Sequence, residues 1–299
     1  MTWWSVTLGV IAVAFIVVGF GMLFRAGWQI FGHVRLGSAD PFRAGPSTLV
    51  RTGTASILAD CGRGAVMRLA GAGLLPPMLD AVLVTHLHSD HLTDLNDVIT
   101  TNWVMSPAPR PLRVYGPPRL QEVVDGTLAA LAPDVAYRIA HHDDLTEGPR
   151  VDVVEVAPGD TFTVGAATVR VGATDHRPVE PTVAFRVDDD GTSVVLGGDG
   201  VPCAGLDELC RGAAAYVQTV VRDDIVRMIP SARLQDILDY HSTVEQAAQT
   251  AARAGVRTLV LTHYVPGLAP GQEEEWRALA AAHFDGEIVL GDDLTSVEC

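Results

Sequence analysis

Four residues that commonly bind metal ions lie close together in one short stretch of the chain. His86, His88, Asp90 and His91 fall within six consecutive positions. Histidine nitrogens and carboxylate oxygens are donors that zinc and other divalent transition metals use in proteins. Because His86 and His88 are two residues apart, their side chains can point the same way from an extended segment but not from a helix. The stretch therefore predicts a metal-binding loop in which Asp90 and His91 can serve a neighbouring ion.

A short apolar run must position this loop. Residues Ala81–Val84 are apolar and polar residues follow, which indicates a buried strand that ends at the loop. Three later apolar runs lead in the same way to His176, Asp199 and His263. Strands that alternate with helical stretches predict a layered α/β architecture. The predicted strands are 47–50, 56–59, 81–84, 112–115, 151–156, 161–164 and 168–171, and the predicted helices are 64–73, 92–105, 118–130 and 245–254.

The His-x-His-x-Asp-His pattern of residues 86–91 resembles the motif of the metallo-β-lactamase superfamily, and the later metal-binding residues follow in that family's order. The resemblance covers about residues 46–299 and implies an α/β fold, an αββα sandwich with the metals at one edge of its two sheets. It also implies that Asp60 stands behind the metal loop and orients it, whereas a turn-forming aspartate is the alternative. The implied ligands are His86, His88 and His176 for one ion and Asp90, His91 and His263 for the other, with Asp199 shared by both.

The implied chemistry is hydrolysis by a metal-bridging hydroxide. Two divalent ions roughly 3.5–4 Å apart can hold a hydroxide at neutral pH and stabilise the oxyanion that forms on attack. We expect two divalent metal ions, for which the histidines favour Zn²⁺, while the two carboxylates also suit Mn²⁺ or iron. All 21 basic residues are arginine, which excludes a lysine Schiff base and a phosphate-loop lysine.

A further histidine, His241, is followed by Ser242 and Thr243, just before the predicted helix 245–254. A His-Ser/Thr pair at this distance before the last ligand histidine is typical of the ribonuclease Z and arylsulfatase-like branch, where that histidine approaches the scissile group. The resemblance therefore predicts catalytic roles for His241 and Asp90. The alternative is that Ser242 or Thr243 only caps the helix.

The amino-terminal segment contains no charge from Trp3 to Phe24. A helix of this length crosses a bilayer core of roughly 30 Å. We therefore predict a transmembrane anchor in residues 1–24, a linker in residues 25–45 and a hydrolase domain in residues 46–299, with a cleaved signal peptide as the alternative. The arginines that follow the apolar segment favour a cytoplasmic domain, and exported relatives in the family favour the opposite side.

The net charge of the chain and the distance in sequence between His176 and Asp199 bear on the predicted substrate. The formal net charge is −15, and only 22 residues separate His176 from Asp199, where the ribonuclease Z family inserts a basic arm that holds tRNA. Since an acidic surface repels a phosphate backbone, we predict a small-molecule ester substrate, either a phosphodiester or a sulfate ester that Arg177 could help to attract, and no nucleic-acid partner. The alternatives are a lactonase or β-lactamase, a ribonuclease Z-like nuclease and a membrane-tethered module without catalysis. The prediction also allows a homodimer.

Overall fold

The computed structural model describes residues 43–108 and 110–299, and within these ranges the chain forms twelve strands and eight α-helices. The strands are β1 Thr48–Arg51, β2 Ser56–Ala59, β3 Ala81–Leu83, β4 Leu112–Gly116, β5 Val151–Glu155, β6 Thr161–Val164, β7 Ala167–Ala173, β8 Val183–Asp189, β9 Thr192–Leu196, β10 Ala215–Val221, β11 Thr258–Val265 and β12 Glu287–Leu290. The helices are α1 Ala65–Gly71, α2 Leu95–Met105, α3 Leu120–His141, α4 Ala204–Cys210, α5 Asp223–Val226, α6 Ala232–Gln235, α7 Val244–Ala254 and α8 Glu273–Ala281. Short 3₁₀ helices occupy Pro76–Met78, Ser89–His91 and Asp236–Asp239.

The strands form two mixed sheets. In the first sheet β1 to β5 lie in chain order, and only the β1–β2 pair is antiparallel. In the second sheet β6 to β12 also lie in chain order, antiparallel from β6 to β9 and parallel from β9 to β12. As a result β7, β9, β10 and β11 run in one direction, so that their carboxyl ends meet at one edge of the second sheet.

Apolar side chains fill three layers between and outside the sheets. Ile57 and Leu83 of the first sheet share one buried cluster with Phe185 and Leu196 of the second sheet, so the two sheets pack face to face. The outer face of the first sheet packs against α1, α2 and α3, and the outer face of the second packs against α4, α7 and α8. Strands covered on both faces read as continuous apolar runs, which explains why Ala81–Val84 was recognisable as a strand. The predicted α/β sandwich of two covered sheets is the observed architecture.

Some predicted elements differ from the observed ones. The helix predicted to end at residue 130 continues as α3 to His141 and passes through Pro133. A proline inside a helix removes one backbone hydrogen bond, and its cost is lower here because Pro133 is exposed to solvent. The strands β8 and β10 were not among the predicted elements. Both pair with two neighbours inside the second sheet.

The membrane anchor predicted in residues 1–24 lies outside the described residues, as does most of the predicted linker. In the part of the chain that the structure describes, no helix combines the length and the apolar character needed to cross a membrane. The 22-residue helix α3 has the length, but it carries Glu122, Asp125, Asp134 and Arg138.

Candidate metal centre

The predicted metal-binding residues come together where the two sheets meet. The loop after β3 carries His86, His88 and the 3₁₀ turn with Asp90 and His91. His176 follows β7, and Asp199 follows β9. His263 differs from the prediction, because it lies within β11 instead of after it, at a φ of 46° and beside an irregularity in the pairing of β10 with β11. All seven residues occupy two adjacent donor groups.

The first donor group is made of three imidazole rings and one carboxylate, from His86, His88, His176 and Asp199. Nε2 of His86 lies 3.0 Å from Nδ1 of His88, which lies 3.3 Å from Nε2 of His176. Nitrogens bound tetrahedrally to one zinc ion at its usual distance would be separated by roughly 3.4 Å. Two of the three separations are therefore close to those expected for ligands of a single ion, and all donor atoms of the group lie within 4.8 Å of one another.

The second donor group is made of Asp90, His91 and His263. Oδ2 of Asp90 lies 3.4 Å from Nε2 of His263. Oδ2 of Asp199 lies 3.3 Å from Nε2 of His91, 3.7 Å from Nε2 of His263 and 3.8 Å from Nε2 of His86. Asp199 thus stands between the two groups, where a carboxylate can be shared by two ions.

Two buried polar atoms at the centre have no hydrogen-bond partner among the described residues. They are Nε2 of His91 and Oδ1 of Asp199. An unsatisfied buried polar atom costs about 1–3 kcal/mol, and such atoms are rare in native proteins. Both atoms belong to residues of the donor groups, so a bound cation could satisfy them. The cluster fits a dinuclear metal site on this observation and on the chemistry of its donors.

The electrostatics of the first group prepare its histidines for a metal. Burial lowers the pKa of His86 to about 2, helped by the charge of His91, and burial lowers the pKa of His176 to about 4 and that of His88 below its usual range. Burial penalises the charged form of an imidazole. These three rings are therefore neutral near pH 7, which is the form that binds metal ions.

The pKa of His91 in the second group shifts in the opposite direction. Burial lowers the pKa of His91, but the negative charges of Asp199 and Asp60 outweigh burial and raise it well above its usual value. Burial raises the pKa of Asp199, yet the neighbouring His91 and His263 hold it well below its usual range. Asp199 is therefore negatively charged, as a carboxylate shared by two cations must be.

Asp60 supports the loop from behind. Its carboxylate accepts hydrogen bonds from the Thr85 amide at 2.8 Å, from the Thr85 hydroxyl at 2.9 Å and from Nδ1 of His91 at 2.8 Å. Asp60 is buried and adopts a left-handed φ of 58°, an unfavourable conformation that clusters at functional sites. A second carboxylate behind a ligand histidine fixes the orientation of its ring. The prediction that Asp60 stands behind the metal loop is confirmed, and its orienting role stays a prediction.

The segment before α7 supports the other side of the centre. His176 donates from Nδ1 to the carbonyl of Tyr240 at 2.7 Å, and His241 donates from Nδ1 to the carbonyl of Ile237 at 3.0 Å. Nε2 of His241 then lies 3.2 Å from Oδ2 of Asp199. Burial lowers the pKa of His241, but the hydrogen bond and charge of Asp199 raise it above its usual value overall. His241 is thus beside both donor groups without belonging to either.

The helix cap that stood as the alternative explanation of this segment is also present. Thr243 accepts a hydrogen bond from the Gln246 amide, and the Gln246 side chain accepts one from the Thr243 amide. Ser242 instead donates to the carbonyl of Gly200, next to Asp199. The cap and the placement of His241 therefore coexist, because different residues of the segment perform them.

Other polar residues lie away from the donor groups. His141 and His142 lie at the exposed end of α3, and His283 is exposed after α8. Arg177 is 69 % exposed and is paired with Asp175, its Nε lying 2.9 Å from Oδ1 of that residue. Its charge is therefore largely compensated by its own neighbour, so the expected attraction of an anionic substrate by Arg177 has little support.

Three supporting groups were missed from the sequence: the Thr85 hydroxyl and the carbonyls of Ile237 and Tyr240. A threonine directly before the first ligand histidine is a visible signal for Thr85. No sequence signal marks the carbonyls, because every residue has one.

Comparison with known proteins agrees with this geometry. Residues 56–264 match the family model described as a Beta-lactamase superfamily domain. The chain belongs to this superfamily. It is 59% identical over 261 residues to a protein named ribonuclease Z from Mycobacterium avium, covering 87% of this chain and 93% of that protein, and 55% identical over the same coverage to a ribonuclease Z from Mycobacterium tuberculosis. Within the superfamily it therefore lies on the ribonuclease Z branch.

Solved structures share the fold at low sequence identity. The metallo-β-lactamase-fold protein YhfI from Bacillus subtilis superposes with a TM-score of 0.66 at 22% identity and covers 87% of this chain and 95% of that chain. The short form of human tRNase Z superposes with a TM-score of 0.62 at 21% identity over 87% and 94% of the two chains. Together with the donor groups, the family match identifies a metal-dependent hydrolase of the metallo-β-lactamase fold.

Two predictions are wrong in the light of these relatives. The prediction that no nucleic acid is involved conflicts with close relatives that are named for an action on RNA. Net charge misled because it averages over the whole surface, whereas catalysis depends on the field at the centre. The predicted membrane localisation is corrected as well, since the relatives that cover 87% of the chain bear the name of an RNA-cleaving enzyme.

Proposed function

We propose that this protein is a ribonuclease of the kind its relatives are named for, which hydrolyses a phosphodiester bond in RNA. The carrying observation is identity of 59% over 93% of the length of a protein named ribonuclease Z, in a chain with two complete donor groups. The relatives favour this nuclease over the small ester hydrolase that the sequence suggested first, and nothing among them favours an arylsulfatase. Residues 46–299 are the proposed catalytic domain.

The ligands we propose are those the family resemblance implies. His86, His88 and His176 would hold one divalent ion, Asp90, His91 and His263 the other, and Asp199 both. Zinc is our first candidate because imidazole nitrogens outnumber carboxylates among these donors, and manganese or iron would also suit the two aspartates. When bound, such a pair of ions supplies a nucleophile at neutral pH and stabilises negative charge on the phosphate that is attacked.

His241 is the proposed proton donor. Its Nδ1 hydrogen is committed to the carbonyl of Ile237, so only Nε2 is available toward the substrate. That atom lies 3.2 Å from the shared carboxylate Asp199, close to where a phosphate would contact the centre. A protonated Nε2 could donate to a non-bridging oxygen or to the ribose oxygen that leaves, a contribution on the order of 10²- to 10⁴-fold in rate. Asp90 is the second residue we propose as catalytic, through its place in the second donor group.

The acidic surface is compatible with RNA as the substrate. Interactions between exposed charges fall off over about 10 Å at moderate salt concentration. Bound cations are the largest charges in a site of this kind and reverse the field around them. A substrate held mainly at the centre would therefore meet a positive local potential although the net charge of the chain is −15.

The full chain, loaded with Zn²⁺ or Mn²⁺, should cleave a 5′-labelled tRNA precursor with a 3′ extension at one position. An unstructured RNA of equal length and bis(p-nitrophenyl) phosphate serve as comparison substrates. His88→Ala should abolish cleavage, whereas the matched control His283→Ala, at an exposed position, should retain it. Hydrolysis of the nitrophenyl ester without cleavage of either RNA would overturn the proposal.

A further inference from the structure

Thr85 contacts three parts of the chain that form or support the metal centre: Asp60, the loop that begins at His86 and the turn at Gly198. It is buried, with 1% of its surface exposed. Its amide and hydroxyl both donate to Asp60, and its carbonyl accepts from the Val183 amide at 2.9 Å. Its hydroxyl oxygen also lies 3.0 Å from Nδ1 of His86. Every polar group of Thr85 therefore has a partner.

The direction of the hydrogen bonds follows from the number of protons. A threonine hydroxyl has one hydrogen to donate, and an ionised carboxylate can only accept. The Thr85 hydrogen therefore goes to Asp60, 2.9 Å away, and the His86 ring must donate from Nδ1 to the Thr85 oxygen. This arrangement leaves a lone pair on Nε2 of His86. That atom is the one that lies 3.0 Å from Nδ1 of His88 in the first donor group.

Asp60 acts on the second donor group at the same time. It accepts a hydrogen bond from Nδ1 of His91 at 2.8 Å, which directs Nε2 of His91 toward the second donor group. One buried carboxylate thus orients a ligand in each group, His91 directly and His86 through the Thr85 hydroxyl.

Thr85 also contacts the turn that carries the shared ligand Asp199. Gly198, the residue before Asp199, has a φ of 65°, and a Cβ atom there would lie 2.9 Å from Cβ of Thr85. A side chain at position 198 would therefore push the two loops apart. The backbone of this turn packs directly on the Thr85 side chain.

We infer that Thr85 is a positioning residue for the first metal ion, because its hydroxyl relays the orientation set by Asp60 to His86. The inference rests on the proposed ligand assignment and does not depend on RNA as the substrate. It predicts an unequal effect on the two ions. Loss of the hydroxyl should lower the affinity for the first ion by about 10- to 100-fold, as expected for a partner behind a ligand histidine. The affinity for the second ion should stay close to that of the unmodified protein.

The test compares Thr85→Val, which keeps the size and the packing on Gly198, with Thr85→Ser, which keeps the hydroxyl. Thr182→Val is the matched control, because Thr182 is also buried but its hydroxyl has no hydrogen-bond partner among the described residues. Each full-length variant is titrated with Zn²⁺ against a chromophoric chelator, and with Co²⁺ while its visible absorption is recorded. Circular dichroism checks folding, and no substrate is needed.

We expect Thr85→Val to bind one ion normally and one weakly, and Thr85→Ser and Thr182→Val to bind both normally. Normal binding of both ions by Thr85→Val would overturn the inference. An equal loss of affinity for both ions would also overturn it. A Thr85→Ser variant that binds the first ion as weakly as Thr85→Val would do the same, since the methyl group and not the hydroxyl would then matter. If Thr85→Val fails to fold, the Thr85→Ser titration still decides, because weak binding of the first ion by this variant contradicts a role for the hydroxyl and normal binding supports it. Because metal affinity is measured without RNA, failure here is distinct from failure of the proposed ribonuclease activity.

Discussion

The histidines of the metal centre are supported in two different ways on its two sides. His86 and His91 are held by the side chains of Thr85 and Asp60, residues that are 1% and 5% exposed and follow strands of the first sheet. His176 and His241 are held instead by backbone carbonyls in the segment 236–241, which lies nearer the surface. One support is part of the main core, and the other is a surface segment.

The surface segment has only a small core of its own. Ile237 and Leu238, both partly buried, pack on the cluster of Val221, Val226 and Val265. Regions with few buried apolar contacts open at lower free energy than the main core. The comparison indicates a fixed side, which holds one histidine of each donor group, and a more adjustable side, which holds His176 and brings His241 to Asp199.

The largest expected effect is on the adjustable side, from His241→Ala. Loss of a general acid should slow RNA hydrolysis on the order of 10²- to 10⁴-fold, because the leaving ribose oxygen needs a proton. A nitrophenyl ester should lose much less, since its leaving group is stable as an anion. Rates on both substrates and metal content by elemental analysis test this. Equal losses on both substrates would reassign His241 to substrate binding, and loss of metal would place it among the ligands; His142→Ala is the control.

On the fixed side, Asp60→Asn should lower the affinity for both metal ions, whereas Thr85→Val should lower the affinity for one. The change preserves size and tolerates the left-handed backbone but removes the charge behind His91, which typically costs about 10- to 100-fold in metal affinity. Competition with a chelator measures both ions, and Asp97→Asn, at an exposed position on α2, is the matched control. A lower affinity for only one ion would contradict the inference that Asp60 supports a histidine in each donor group.

A smaller effect should follow when the surface segment is loosened. Leu238→Ala removes a partly buried side chain from the small cluster and should lower the free energy of unfolding by about 1 kcal/mol. Turnover should fall, because the carbonyls that hold His176 and His241 become less fixed. Met228→Ala, at a 74% exposed position that precedes this segment, should change neither. Denaturant unfolding and steady-state rates measure both quantities, and unchanged turnover in Leu238→Ala would show that the two sides are equally rigid.

The smallest effect on activity should come from Thr243→Ala. This variant removes the helix cap of α7, which is worth about 1 kcal/mol of stability. His241 keeps its own contacts with Ile237 and Asp199, so turnover should remain close to that of the unmodified protein. Thermal unfolding and rate measurements, with Thr243→Ser as the control, separate the cap from the chemistry. A large loss of turnover would mean that the cap also positions His241.

The sequence alone determined the chemistry of the centre. A buried apolar run that ends in a polar, ligand-type residue is a local pattern, and such patterns predicted β2 with its observed bounds, the loop after β3 and the positions of His176 and Asp199 after β7 and β9. The capping residues before α7 were equally local. The sequence and its resemblance to the family named all seven residues that the fold brings into the two donor groups.

Only the tertiary structure decided how these residues are held. Asp60 reaches His91 across 31 residues of sequence, and the carbonyl of Tyr240 reaches His176 across 64. Backbone carbonyls are the same at every residue, so no residue type indicates that the carbonyls of Ile237 and Tyr240 accept hydrogen bonds from His241 and His176. Net charge failed for a related physical reason, because it is a sum over the whole chain, while the potential at a metal centre is set by the few groups that folding brings within several ångströms of it.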